Sequence, residues 1–217
     1  MTKKEKNNIE SKERILKAAL TIFAKNGFEG ARTRDIAELA KVNIATLHYH
    51  FKTKDNIYGE VIEEIHRASS NQIMDLMIEQ RKIIENSHDK KELIRALKTM
   101  SIAFVEMITN PKNKELAKII SHEQIDQSKH FQNLFETVMK GVCEPFIIAV
   151  SKIINKESSD IEVILITHSL HGILTSFLHN KSSLFYLTAW KSYNKKNVAK
   201  LSNHISQIIE TLFIKYL

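Results

Sequence analysis

The sequence predicts an all-α protein, and three observations carry that prediction. Turn punctuation is scarce, with 5 glycines and 2 prolines among 217 residues, so few positions interrupt a helix. Apolar residues recur every three or four positions, the period of an amphipathic helix. Ser11, Thr33 and Thr53 stand ahead of such stripes, where an N-cap is needed.

The first helix is expected over residues 11–25, capped by Ser11, with Ile15, Ala19, Leu20, Phe23 and Ala24 on its apolar face. Asn26-Gly27 should end it, because both residues tolerate the left-handed conformation of a helix C-terminus. Thr33 offers a second N-cap, for a short helix in which Ile36, Ala37 and Ala40 are small enough for close crossing. Lys41-Val42-Asn43 is the turn into a third short helix over residues 44–50, with Leu47 facing inward. Thr53 caps a longer fourth helix with the stripe Ile57, Val61, Ile65 and Ala68. Further helices are predicted near 91–109, 113–122, 130–154, 159–179 and 198–216, separated by polar stretches at 85–89 and 192–197. No internal repeat or low-complexity run interrupts them.

The last two predicted helices carry more apolar surface than a monomer needs. Val163, Ile166, Leu170, Ile173 and Phe177 form one face of the penultimate helix, while Ile161, Ile164, Leu165, Leu174 and Leu178 lie elsewhere around it. The final helix shows Val198, Leu201, Ile205, Ile208, Leu212 and Tyr216 with Ile209 and Phe213 beside them. Both could line a monomer core, or bury their excess against a second copy as a four-helix bundle, and the homodimer is the expectation. Glu162, His168 and His171 make residues 161–178 too polar for a bilayer span, so no membrane association is expected. The polar start Met1-Thr-Lys-Lys-Glu-Lys and the lone Cys143 point to a cytoplasmic protein. A net charge of +7 favours an anionic partner such as nucleic acid or a membrane surface.

Residues 46–54, TLHYHFKTK, concentrate aromatic and cationic side chains, and metal ligands, core, or a surface for an anionic partner are the competing readings. Histidines at i and i+2 on a helix point about 200° apart, so His48 and His50 make a poor chelate, and neither metal nor cofactor is expected. Two short helices joined by a tight turn form a helix-turn-helix, whose second helix fits a major groove about 12 Å wide. With Val42, Leu47 and Phe51 turned inward, Asn43, Ala45, Thr46 and His48 are left to approach base edges. Tyr49, His50 and Lys52 can donate to phosphates from the helix end, although Tyr49 could equally be a surface aromatic packed on the fourth helix. Thr33, with Arg34 beside it, and Lys54 lie at helix starts, where free N–H groups and the macrodipole favour phosphate. Thr33 and Thr53 would cap helices with or without DNA.

The run from Thr33 to Tyr58, TRDIAELAKVNIATLHYHFKTKDNIY, resembles the N-terminal signature of TetR-family transcriptional repressors, and the resemblance covers about residues 10–60. His48 departs from it, standing where that family usually has the first of two tyrosines. The resemblance implies a DNA-binding domain over residues 1–55 and a ligand-binding, dimerising domain over 56–217. It further implies a homodimer that leaves a palindromic double-stranded operator when a small-molecule effector binds. His122-Glu123-Gln124-Ile125-Asp126, Phe131, Glu144-Pro145-Phe146, His168-Ser-Leu-His-Gly172 and Trp190 resemble landmarks of a TetR subgroup linked to control of transporters and antibiotic sensitivity.

Met100, Phe104, Met107, Phe135, Met139 and Phe177 are candidate effector-lining residues, since methionines and aromatics make adaptable apolar walls. Ordinary core packing is the competing reading for each. Glu123 and Gln124 could add polar recognition or simply form a solvated face. His168 and His171 have metal-compatible i, i+3 spacing without further ligands, which points to a structural role, and Cys143 reads as a small buried residue. No constellation of nucleophile, paired carboxylates or glycine-rich phosphate loop supports an enzyme. A basic helical module on anionic membranes or partner proteins is the alternative function. Because histidine changes charge between about pH 5 and 8, His48 should strengthen DNA binding as pH falls, relative to a His48→Tyr variant.

Overall fold

A computed structural model describes residues 3–69 and 73–217, with side chains over 6–67 and 73–217. The chain runs through α1 (Lys3–Gly30), α2 (Thr33–Leu39), α3 (Ile44–Phe51), α4 (Lys54–Ser69), α5 (Ile73–Asn86) and α6 (Lys90–Thr109). It continues through α7 (Lys114–Ile125), α8 (Phe131–Leu134), α9 (Lys140–Ile154), α10 (Ile161–His179), α11 (Lys181–Thr188) and α12 (Lys195–Phe213). No strand occurs among the described residues, as the helical periodicity requires. The helices form two compact units, one of residues 1–68 and 114–138, the other of residues 69–113 and 139–217.

In the first unit, α2 and α3 pack on α1, and α7 lies along α1. Ile15, Phe23, Ile36, Leu47, Ile57, Tyr58 and Ile62 are each essentially fully buried, and such side chains contribute about 1.5–3 kcal/mol apiece. Phe23 and Phe28 both rest against the Tyr58 ring, at centroid distances of 4.7 and 5.0 Å. Gly27 kinks α1 with φ +66° and ψ 179°, where the Asn26-Gly27 signal places an end, but the helix resumes to Gly30 and ψ lies outside the left-handed helical region. A Cβ there would also lie 3.4 Å from the His122 ring on α7.

Two predicted caps are corrected. Ser11 sits inside α1, which starts at Lys3, and its hydroxyl donates back to the Asn8 carbonyl at 2.8 Å. Thr33 is the first residue of α2; extended Arg32 is the N-cap, and its carbonyl accepts from the Asp35 and Ile36 amides. Thr53 does cap α4, accepting from the Asn56 amide at 3.2 Å. α4 ends at Ser69, and α5 is a separate helix that the stripe reading did not resolve. The side chain of Ala68, placed on that stripe, lies outside the described residues, as do those of residues 1–5.

The second unit is organised around α6, against which α5, α9, α10 and α12 all pack. Its core includes Met77, Leu97, Met100, Phe146, Leu170, Leu174, Ile205 and Phe213. The predicted helix over 130–154 is α8, a π-helical turn at Phe135–Met139, and α9. α10 buries Val163, Thr167, Leu170 and Leu174, a stripe rotated from the expected face. Thr167 tolerates the core because its hydroxyl donates to the Val163 carbonyl at 2.8 Å. By length and composition alone, α10 would be long and apolar enough to cross a membrane. Its outer face leaves Ile161 and Leu165 exposed, at 69% and 58%.

Candidate nucleic-acid interface

The turn between α2 and α3 is a Schellman closure built from local sequence. Lys41 takes φ +55°, its amide donates to the Glu38 carbonyl at 3.0 Å, and the Val42 amide reaches the Ala37 carbonyl at 3.0 Å. Those bonds satisfy the last carbonyls of α2, and the C″ residue of such a turn packs back on its helix; Val42 is half-buried against the core. Asn43 then starts α3, its side-chain oxygen accepting from the Ala45 amide at 2.9 Å. Three consecutive residues, Lys41, Val42 and Asn43, thus end one helix and begin the next.

α3 divides cleanly by face. Leu47 and Phe51 are buried at 0% and 3% exposure, which anchors the helix and fixes its rotation. Asn43, Ile44, Ala45, His48 and Tyr49 are exposed, and Thr46 is half-buried. Tyr49 reaches 74% exposure, so it is a free surface aromatic whose nearest ring partner is the neighbouring His50. Arg34 and Lys52 are exposed and Thr33 half-buried.

Other predicted contacts are occupied inside the protein. His50 Nε2 lies 2.7 Å from Ser11 Oγ; because that hydroxyl already donates to Asn8, the imidazole N–H is the donor. Burial, then the nearby Lys12 charge, holds the His50 pKa below the ordinary histidine value, consistent with a neutral ring making that bond. The Lys54 ammonium donates to the Phe28 carbonyl at 2.9 Å and to those of Glu29 and Ala31 at 3.4 Å, and lies 4.3 Å above the Phe28 ring. It closes the C-terminus of α1, leaving the amides at the start of α4 as the groups that can face a phosphate.

Asp55, one residue further on, accepts from Lys129 at 2.6 Å and from His130 Nε2 at 2.9 Å. The Lys129 hydrogen bond, with help from His130, lowers the Asp55 pKa. Tyr58 donates to Glu123 Oε1 at 2.7 Å, and the same carboxylate accepts from the Ser128 hydroxyl and amide at 2.8 and 3.1 Å. The ties from α4 have no signature in the sequence, because Tyr58 and Asp55 lie 65 and 75 positions from Glu123 and His130. An open cleft of about 610 Å³ adjoins it, lined by His50, Lys52, Asp55, Gly59, Glu63 and His130 among others.

The predicted effector residues separate. Met100 lies in the core of the second unit, Phe104, Met107 and Phe177 are half-buried against it, and Met139 falls within that unit's chain segments. Glu123 and Phe135 belong to the first unit; Glu123 is 2% exposed, and Phe135 lies near Phe131 with ring centroids 6.1 Å apart. His171 packs edge-on to Phe146 at 4.8 Å and its Nε2 is buried without a hydrogen-bond partner, as a core histidine. Among the described residues no group of three or more His, Cys, Asp or Glu is placed to hold a metal.

Residues 15–61 match the family of bacterial regulatory proteins, tetR family, and residues 90–213 match the C-terminal domain of the HTH-type transcriptional dual regulator CecR. The chain is 24% identical over 208 residues to CecR of Shigella flexneri, covering 94% of this chain and 93% of that one. It is 39% identical over 51 residues to the HTH-type transcriptional regulator QacR of Staphylococcus aureus, 24% of this chain and 27% of the relative. The crystal structure of HlyIIR, a hemolysin II transcriptional regulator, superposes with a TM-score of 0.64 at 23% identity, covering 93% of this chain and 97% of that one.

Proposed function

The chain belongs to the tetR family of bacterial regulatory proteins and carries a CecR-type C-terminal domain; from that premise we propose a homodimeric repressor that leaves a palindromic operator when a small effector binds. As a member of that family it is a DNA-binding transcriptional regulator and not an enzyme. Residues 1–55 carry DNA contact and residues 56–217 carry effector binding and dimerisation, and the protein acts in the cytoplasm, where its operator is.

The observation that supports this reading most is the anchoring of α3 by Leu47 and Phe51 with a polar face turned outward. On that face Asn43, Ala45, Thr46 and His48 read bases, while Tyr49, Lys52, Arg34, Thr33 and the start of α4 at Lys54 hold phosphates. His50 supports them indirectly by tying α3 to α1. A gel shift on DNA flanking the gene, at several salt concentrations, tests the reading. Sequence-specific binding that weakens steeply with salt supports it, whereas binding indifferent to sequence supports the basic-module alternative.

Dimerisation through α10 and α12 is supported by the exposed outer stripe Ile161, Leu165, His168 and Gly172 of α10 and by Leu212 of α12. A Cβ on Gly172 would meet nothing within 4 Å, which leaves room for a second helix to approach. Leu165→Glu should convert dimer to monomer in sedimentation and abolish binding to a two-half-site duplex. The effector site of this reading lies in the second unit, among Met100, Phe104, Met107, Met139 and Phe177. A coupling of roughly 1–3 kcal/mol between effector and operator suffices for a 5–150-fold change in affinity.

A further inference from the structure

His48 Nδ1 lies 3.0 Å from the Lys52 carbonyl oxygen. A carbonyl only accepts hydrogen bonds, so Nδ1 carries the proton in this contact, and in the neutral ring Nε2 is a bare acceptor. The arrangement is clamped from both sides, since the Lys52 amide donates back to the His48 carbonyl at 3.0 Å and Lys52 holds φ +64° at the end of α3. His48 is exposed, and Nε2 makes no hydrogen bond to any described residue.

The tautomer decides what His48 can touch. Phosphate oxygens only accept, so the neutral Nε2 has nothing to offer them, and a base contact through Nε2 runs opposite to the gain in binding at low pH expected from the sequence. Guanine presents N7 and O6 acceptors in the major groove and thymine presents O4, which again mismatch. Adenine N6 and cytosine N4 are the donors on that groove's floor. Resting on the reading that α3 enters the major groove, we propose that His48 is a specificity-determining residue that accepts a hydrogen bond from the exocyclic amine of an adenine or cytosine. A tyrosine at this position, with a hydroxyl that both donates and accepts, would impose no such choice.

The test starts from a library of duplexes with a randomised core, selected at pH 8.5, above the range in which histidines ordinarily change charge. The unaltered protein should enrich adenine or cytosine at one symmetry-related position per half-site, and His48→Phe should lose that preference while keeping the rest. In the selected duplex that base is then replaced by purine or 2-pyrimidinone, which lack the amine. Affinity of the unaltered protein should drop about 5- to 10-fold, the worth of one neutral hydrogen bond, and affinity of His48→Phe should not change. This arm includes the unaltered protein, so it does not depend on the variant folding. Specific binding with no His48-dependent position, a preference for guanine or thymine there, or equal losses in both proteins overturns the assignment and leaves the regulator reading intact. No enriched half-site at all overturns both.

Discussion

Replacing Tyr58 by phenylalanine should destabilise the first unit through one lost hydroxyl. Tyr58 is 1% exposed and its hydroxyl donates at 2.7 Å to Glu123, itself 2% exposed. The ring contacts with Phe23, Phe28 and His130 survive in phenylalanine, so no cavity contributes. What is lost is a hydrogen bond to a carboxylate, about 1.5–3 kcal/mol, and Glu123 keeps its two bonds from Ser128. For a chain of this length the loss lowers Tm by about 3–12 °C, measured by far-UV circular dichroism. The variant should also change the alkaline limb. Burial, then the Glu123 hydrogen bond, pushes the Tyr58 pKa far above its ordinary value. Its contribution is therefore full below about pH 10 and is lost above it, as the unfolded phenol ionises while the folded one does not. Tyr58→Phe should flatten that decline. A Tm within a degree of the parent's, or an unchanged alkaline slope, would refute the idea that this network holds α4 to α7.

Two further perturbations separate folding from recognition. Lys54→Gln should lower stability by about 1–2 kcal/mol, by loss of charge-assisted bonds to the end of α1, while the salt dependence of operator binding stays unchanged. Lys52→Ala should do the reverse, sparing Tm and reducing the log–log salt slope by about 1; equal slopes would place Lys52 away from phosphate. In the second unit, burial and then His168 lower the His171 pKa to about 4. The unfolded chain takes up a proton between about pH 6.5 and 4 that the folded one resists, so stability should fall as pH drops through that window. His171→Phe should remove that loss, at most about 3 kcal/mol, in urea titrations at pH 7 and pH 4.5; a variant with the same acid loss would assign it to other groups.

The parts of the interface that were legible in the sequence are those set by neighbours within a few residues. Lys41, Val42 and Asn43 make their closure and cap with partners no more than five positions away, and the inward set Leu47 and Phe51 follows from helical period alone. Cap assignment failed where two local bonds compete. Ser11 meets the compositional rule for an N-cap, yet the preceding residues continue the helix and its hydroxyl turns back to Asn8, as serine does inside helices. Lys54 and His50 were legible by position as polar groups near DNA, but their partners, Phe28 and Ser11, lie 26 and 39 residues away. Only the tertiary fold reveals that these polar groups are already satisfied.

Glu123 shows the same limit with a functional consequence. Read by composition, a glutamate among His122 and Gln124 on an amphipathic helix offers polar recognition to an effector. Burial makes that costly, because an acceptor shut away from water must find donors within the protein, and Tyr58 and Ser128 are those donors. The carboxylate therefore acts on α4 directly: it fixes Tyr58 one turn after Asp55, which is itself tied to Lys129 and His130. A residue that is poor at meeting a ligand is thereby well placed to set where α4 begins, and only two residues separate α4 from the helix that carries His48. Substitutions at Glu123 should consequently alter operator affinity without effector present, an effect that a ligand contact would not produce.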